Sequence, residues 1–250
     1  MPDKLKRPLT LMGVAAFWVL VWWLAAIAIG QEILLPTPTA VAATLWRLWG
    51  TADFWQAVGL SLLRVLLGFA AAVATGVLLA VLTAQFRLLH ALFSPLLHTV
   101  QAAPVASFII LAYFWIRLNW LPAFIAFLMV VPMVWSNVSQ GIHQTDCRLL
   151  EMAAVYRLSR GRVLRYIWFP SVKPYFLAAC TTGLGFAWKS GIAAEVICGP
   201  DYAIGSRLGD AKAYLEMPEV FAWTATVVAL SVLLERALLS LVRRKREVTI

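Results

Sequence analysis

The residues able to do chemistry are few and scattered. Gly183-Leu-Gly-Phe-Ala-Trp188-Lys189-Ser190 comes closest to a reactive motif, since it approximates the phosphate loop GxxxxGK[ST]. A phosphate cradle needs a glycine-rich turn between a strand and a helix, so that backbone N–H groups converge on the phosphates. Here Trp188 stands where the last glycine belongs, and the surrounding run is an apolar helix whose N–H groups are already used. The histidines His90, His98 and His143 are far apart, and neither paired carboxylates nor metal-ligand spacing occurs, so no catalytic or metal centre is expected. The cysteines Cys147, Cys180 and Cys198 form no CxxC or Cys/His set and read as structural thiols.

Lys189 and Glu195 remain, both inside an apolar run. An ionisable group in hydrocarbon costs several kcal/mol unless it is paired or lines a wet cavity. The two are six residues apart, hence about 120° apart around a helix, and do not pair with each other. Arg64 is a candidate partner for Glu195. Two roles stay open for this group and the adjoining Trp188: lining a translocation path, or holding helices together as ion-pair members. Gly183, Gly185 and Gly191 are expected to let neighbouring helices approach closely.

The elements that must position these residues follow from composition. The chain has 250 residues, 62% hydrophobic and 13% charged, with a mean hydropathy of +0.82. That much apolar surface cannot be hidden in a water-soluble globule, whereas about 20 apolar residues per helix suit a hydrocarbon core of about 30 Å. Hydropathy places spans near Leu9 to Ile29, Val65 to Ala84, Ala102 to Ile116, Leu121 to Val138, Tyr175 to Cys198 and Val220 to Leu241. The fold class is therefore all-α, a polytopic membrane protein of about six transmembrane helices forming one domain over residues 1–250. Pro95 and Pro104 interrupt the third apolar stretch, so that span is expected to be broken or to start earlier. The run after Lys4, Lys6 and Arg7 is too long for a signal-peptide core and reads as an uncleaved first helix.

The net charge of +9 does not point to nucleic acid, because the basic residues flank apolar spans. With a cytoplasmic N-terminus, fifteen Lys and Arg fall inside and five outside (Arg47, Arg64, Arg117, Arg207 and Lys212), with Lys189 within a span. This bias places both termini in the cytoplasm. Six of the fifteen lie in one cytoplasmic loop, about 140–174, which is too long and too charged for a simple connector. Outside, Gln31 to Leu60 carries Leu35-Pro-Thr-Pro38 and then Trp46, Trp49 and Trp55, an interfacial pattern. Asp201 to Glu219, with Gly205 and Gly209, reads as a short polar loop.

The cytoplasmic loop contains Glu151-Met-Ala153-Ala154-Val-Tyr-Arg157-Leu-Ser159-Arg-Gly161-Arg-Val-Leu-Arg-Tyr-Ile167-Trp-Phe-Pro170. It resembles the EAA loop of ABC importer permeases: EAA, three residues, Gly, nine residues, then I-x-L-P. Glu151, Ala153, Ile167 and Pro170 fall on the pattern, while Met152, Arg157 and Phe169 depart from it. Glycine permits positive φ in a turn, which costs an arginine roughly 1 kcal/mol or more, so the turn is expected to shift toward Ser159 and Gly161. A short helix with Glu151 in its first turn and basic residues later would suit the macrodipole. Charge alone would equally suit a loop lying on anionic headgroups; the spacing favours the coupling element.

Leu35-Pro-Thr-Pro38, Ser61-Leu-Leu-Arg64-Val-Leu-Leu-Gly68-Phe69, and Ala187-Trp188 followed by Glu195 are similar to the nitrate, sulfonate and taurine group of these permeases. The resemblance implies a type I importer-like subunit in a bacterial inner membrane, working as a permease homodimer. It also implies ATP bound by a separate ABC ATPase subunit and an extracytoplasmic solute-binding protein, with no cofactor in this chain. The competing classes are an ion-gradient-driven secondary carrier, which would need inverted repeats and midplane ion sites that are not evident, and then a membrane enzyme or scaffold. The charge bias makes a direct prediction: a reporter fused after Glu247 reports from the cytoplasm and one inserted near Gly205 from the opposite side. The reverse result would overturn the layout.

Overall fold

A backbone crossing hydrocarbon has no water to bond, so it must satisfy its own amides as helix. The computed structural model describes residues 3–247, with side-chain surroundings for residues 13–240. Among the described residues the regular structure is helical throughout, with no strand. The helices are α1 (Asp3–Ile29), α2 (Pro38–Trp49), α3 (Ala52–Gln85), α4 (Arg87–Ala102), α5 (Val105–Tyr113), α6 (Leu121–His143), α7 (Cys147–Val155), α8 (Arg160–Val163), α9 (Phe169–Cys198), α10 (Ile204–Ala213) and α11 (Met217–Glu247). The side chains of Lys4, Lys6, Arg7 and Arg243 to Arg246, on which the orientation partly rests, lie outside those described.

By length and composition, α3, α6 with its preceding turn, and α11 can each cross a membrane, and α4 with α5 passes as one bent pair. The described apolar part of α1, Gly13–Ile29, is shorter, while α9 has 30 residues but is less apolar. The third expected span begins fifteen residues earlier than hydropathy places it, at Arg87 rather than Ala102, and is broken by a 105° bend. Pro104 is the cause: it disfavours the helical region at Ala103, which lies at φ −80° and ψ 146°. The second expected span, Val65 to Ala84, lies within α3, whose helix extends a further thirteen residues toward its N-terminus, to Ala52. Thr51 caps it by accepting a bond from the Phe54 N–H at 3.4 Å.

The core is built from α3, α6 and α9, with α6 buried between the other two. Lipid offers no hydrophobic drive for helices to associate, so close approach of small residues does that work. A Cβ on Gly68 would overlap the Ala123 carbonyl, and one on Gly76 would lie 2.9 Å from Val134 Cγ1. On α9, a Cβ on Gly191 would lie 2.6 Å from Val65 Cγ2 and one on Gly183 3.2 Å from Val130 Cγ1. A Cβ on Gly185 would meet nothing within 4 Å among the described residues, so this glycine, contrary to expectation, is not needed for the packing of α9 on α3 and α6. Large apolar side chains such as Trp18, Leu24, Leu63 and Leu233 are exposed around the bundle, as lipid-facing residues would be.

The 140–174 loop departs from expectation in two ways. Asp146, not Glu151, serves the start of α7, its side chain accepting from the Arg148 N–H at 2.8 Å; Glu151 lies mid-helix and the first turn is without acid. The turn does not shift to Ser159 or Gly161 either. Arg157 itself adopts φ 49° and completes a C-terminal cap in which Arg157 N–H bonds the Ala154 carbonyl at 3.0 Å and Leu158 N–H the Ala153 carbonyl at 2.9 Å. Those bonds hold the arginine in a conformation that glycine adopts freely, while Gly161 sits inside α8. Leu164–Trp168 then winds as a π turn into α9. Pro170 accounts for it, since the ring would clash with the Tyr166 carbonyl four residues back in a regular helix. Arg157→Gly should relieve about 1 kcal/mol of strain, slowing hydrogen exchange at the Arg157 and Leu158 amides about fivefold. Unchanged exchange would contradict this account of the turn.

Candidate functional site

The principal polar assembly of the bundle gathers around Glu195, three residues before the end of α9. The side chain is fully buried, so each oxygen needs a donor or leaves a cost behind. Oε2 accepts from Ser61 Oγ at 2.8 Å and from the Gly205 N–H at 3.1 Å. Ser61 in turn accepts from the Ile204 N–H at 3.0 Å. The first two amides of α10 are thereby capped by side chains from α3 and α9, while Ala203, its own N-cap residue, supplies no side-chain bond. A carboxylate at a helix N-terminus also sits at the favourable end of its dipole. Gly205 is required here, because a Cβ would run into Glu195 Cβ and the Val196 backbone.

Arg64 lies three residues after Ser61 on the same face of α3 and is buried beside the carboxylate. Its Nη2 donates to the Asp201 carbonyl at 2.9 Å and lies 3.5 Å from Asn119 Oδ1. Asn119 holds the same loop, accepting from the Asp201 N–H at 3.1 Å and donating to Asp201 Oδ2 at 3.3 Å. Arg64 Nη1 and Glu195 Oε1 approach to 3.9 Å, an ion pair beyond hydrogen-bond reach, and neither atom has a hydrogen-bond partner among the described residues. The sequence reading paired Arg64 with Glu195 but missed Ser61, Asn119, Asp201 and Gly205. The Ser61/Arg64 spacing on one helical face was the available signal; the rest depends on the path of the chain after Cys198.

The other candidates are placed separately. Trp188 is buried, its indole N–H bonded to the Val227 carbonyl at 3.1 Å, so it ties α9 to α11. Lys189 is exposed, about two-thirds of the way along α9, and makes no ion pair or hydrogen bond among the described residues. It shares an exposed stripe with Ala178, Thr182, Phe186 and Val196. Glu195 points away from that stripe into the bundle, as the 120° separation requires. In the loop, Ala153 and Ile167 are buried, whereas Glu151, Ala154, Arg157, Ser159, Gly161 and Pro170 are exposed. The P-loop-like run lies wholly within α9, where its N–H groups serve the helix. No group of His, Cys, Asp and Glu able to hold a metal occurs among the described residues.

The chain as a whole has known relatives. The taurine transport system permease protein TauC of Escherichia coli (strain K12) is 25% identical over 248 residues, covering 96% of this chain and 90% of that protein. The riboflavin transport system permease protein RibX of Chloroflexus aurantiacus is 26% identical over 235 residues (93% and 87%). The bicarbonate transport system permease protein CmpB of Synechococcus elongatus is 26% identical over 184 residues (73% and 66%). In fold, the chain is similar to a chain of the inward-facing MetNI methionine ABC transporter, with a TM-score of 0.57 at 14% identity, covering 78% of this chain and 94% of that one. Residues 72–247 match the family described as the binding-protein-dependent transport system inner membrane component. The chain belongs to that family: it is a multi-pass permease subunit of an ABC importer in the inner membrane, and not itself an enzyme.

Proposed function

We propose that this subunit forms part of the path for a small anionic solute of the nitrate, sulfonate or taurine type and is driven through its 140–174 loop by a separate ATPase. The observation that carries the coupling role is the shape of that loop. Helix α7 is stopped at both ends by caps and presents Glu151 beside the exposed Met152, Val155 and Tyr156. A capped helix with a mixed apolar and acidic face can be pushed as a rigid body by a partner that distinguishes two states. Glu151 docks in a basic or amide-bearing groove of the ATPase, which binds the ATP. Ala153 and Ile167 anchor the loop from inside, Ala154, Arg157, Ser159 and Gly161 shape its exposed turn, and Pro170 sets the junction to α9.

Lys189 supports the anionic solute. A lysine cannot face lipid at little cost, and its exposed stripe on α9 therefore lines either the path or a second copy of the subunit. Taurine and bicarbonate in the names of relatives agree with an anionic group, whereas riboflavin shows that the family is broader. The permease works as a homodimer receiving solute from an extracytoplasmic binding protein, with both termini in the cytoplasm and residues 1–250 as one membrane domain. Trp188, Arg64 and Glu195 shape the path indirectly, by holding α9 against α11, α3 and α10.

Uptake into proteoliposomes containing the ATPase, with ATP on its side and binding protein on the other, tests both assignments. A carboxylate at an interface contributes about 1.5 to 3 kcal/mol, so Glu151→Ala should weaken docking roughly tenfold to a hundredfold, and Glu151→Lys more. Wild-type uptake by Glu151→Lys would sink the coupling role. Lys189→Met, similar in length but uncharged, should lose uptake of taurine or nitrate while assembling normally. Normal uptake would remove Lys189 from the path, and failed assembly would make it structural.

A further inference from the structure

No Asp or Glu occurs between Glu151 and Glu195, yet Arg157, Arg160, Arg162, Arg165 and Lys173 follow Glu151 in the 140–174 loop. None of these five makes a salt bridge among the described residues. From Arg160 the chain winds as one continuous helix through α8, the π turn and α9. At about 100° per residue, Arg162, Arg165, Tyr166, Phe169 and Lys173 fall within an arc of about 100° on that helix. Exposure agrees: the first four are exposed, Lys173 is half-buried, and Ile167 on the far side is buried. Arg160 is also exposed but falls on the side opposite Arg162. Both guanidinium groups of the shared face keep donors to spare. Arg162 bonds Ser159 Oγ through Nε alone, at 3.4 Å. Arg165 lies over the Tyr166 ring, 5.9 Å from its centroid, a contact through its flat face that leaves the in-plane N–H groups unused.

Helix packing sets the depth of this face. A Cβ on Gly191 would lie 2.6 Å from Val65 Cγ2, so Gly191 is level with the outer end of the second expected span. A hydrocarbon core of about 30 Å takes about 20 residues, which puts its inner edge near Ser171 of α9. Phe169 then lies at that edge, Tyr166 and Arg165 about 7 to 9 Å beyond it and Arg162 about 13 Å beyond it, in the headgroup layer. Lys173 starts just inside the edge and can carry its ammonium outward. A soluble partner docking on α7 does not reach Phe169 and Lys173, whereas a lipid spans the whole face. Positive charge, flat forks suited to phosphate and aromatic rings at the hydrocarbon edge together complement one kind of molecule. We propose that the 162–173 face binds an anionic phospholipid of the cytoplasmic leaflet. Arg162 and Arg165 hold its phosphate, Tyr166 and Phe169 lie against its glycerol and upper acyl chains, and Lys173 reaches the headgroup from below. The leaflet rests on the cytoplasmic placement of the 140–174 loop proposed above.

The test uses the permease purified with its ATPase in mild detergent containing equal amounts of phosphatidylglycerol and phosphatidylcholine. Native mass spectrometry counts which lipid stays on the complex. Wild type should keep phosphatidylglycerol over phosphatidylcholine about tenfold or more, and Arg162→Gln with Arg165→Gln should lower that preference about tenfold. Arg160→Gln removes the same charge from the opposite side and should change it less than about twofold. Should the double variant not assemble, Arg165→Gln alone should lower the preference severalfold, and an unchanged value would overturn the site. An equal loss in Arg160→Gln and the double variant would reduce the face to a general charge bias and overturn it, as would no preference in wild type. Retention only without the ATPase would make the face an ATPase contact, and displacement by excess inorganic phosphate would make it a soluble-anion site; either result overturns the lipid. A reporter placing the loop outside would overturn the leaflet. Absence of ATP-driven uptake by wild type would instead sink the importer reading, and the lipid preference of the permease would still judge this face.

Discussion

A carboxylate with no exposed surface near the end of a membrane helix must find donors inside the protein, and much of this structure is arranged around that demand. Glu195 takes them from Ser61 and from the backbone of Gly205. Ser61 can serve only because α3 is already helical there, well ahead of its apolar centre. Gly205 can serve only because the chain reverses after Cys198 through a left-handed Gly199 and returns α10 against α9 without a side chain in the way. Arg64 and Asn119 then hold Asp201, tying this reversal to the start of α6. One buried charge thus links α3, α6, α9 and α10. Removing it would leave the α10 amide and Arg64 short of partners in a medium where each missing bond is costly.

Below that cluster the constraint is steric. The helices α3, α6 and α9 meet through Gly68, Gly76, Gly183 and Gly191, each filled by a side chain or carbonyl of its neighbour. At these crossings there is no room for a side chain in place of the glycine hydrogen. The π turn at Leu164–Trp168 stands between this core and the 140–174 loop. Proline creates the irregularity, and the loop ahead of it keeps its form through caps at Asp146 and Arg157 rather than through wide burial. The two ends of α9 therefore differ in kind: a buried polar cluster at one, a π-wound junction at the other, with Lys189 exposed between them.

The sequence by itself determined the membrane class, the helical content, the EAA-like loop and its family, because these depend on apolar run length and on spacing along the chain. It also determined that Glu195 and Lys189 face different ways, since helix geometry alone separates residues six apart. Tertiary structure decided what hydropathy cannot see. Polar residues such as Asp53, Ser61 and Arg64 lower the apolar average, yet the helix continues through them because partners from other segments satisfy them; hence α3 begins at Ala52. The 201–219 segment has the glycines of a loop but is helical from Ile204, since its N-terminus is capped by residues distant in sequence. Arg157 holds a glycine's conformation because backbone bonds around it outweigh about 1 kcal/mol of strain. The relation of Glu195 to Asn119, Asp201 and Gly205 likewise has no trace in spacing, because it exists only where separate segments converge.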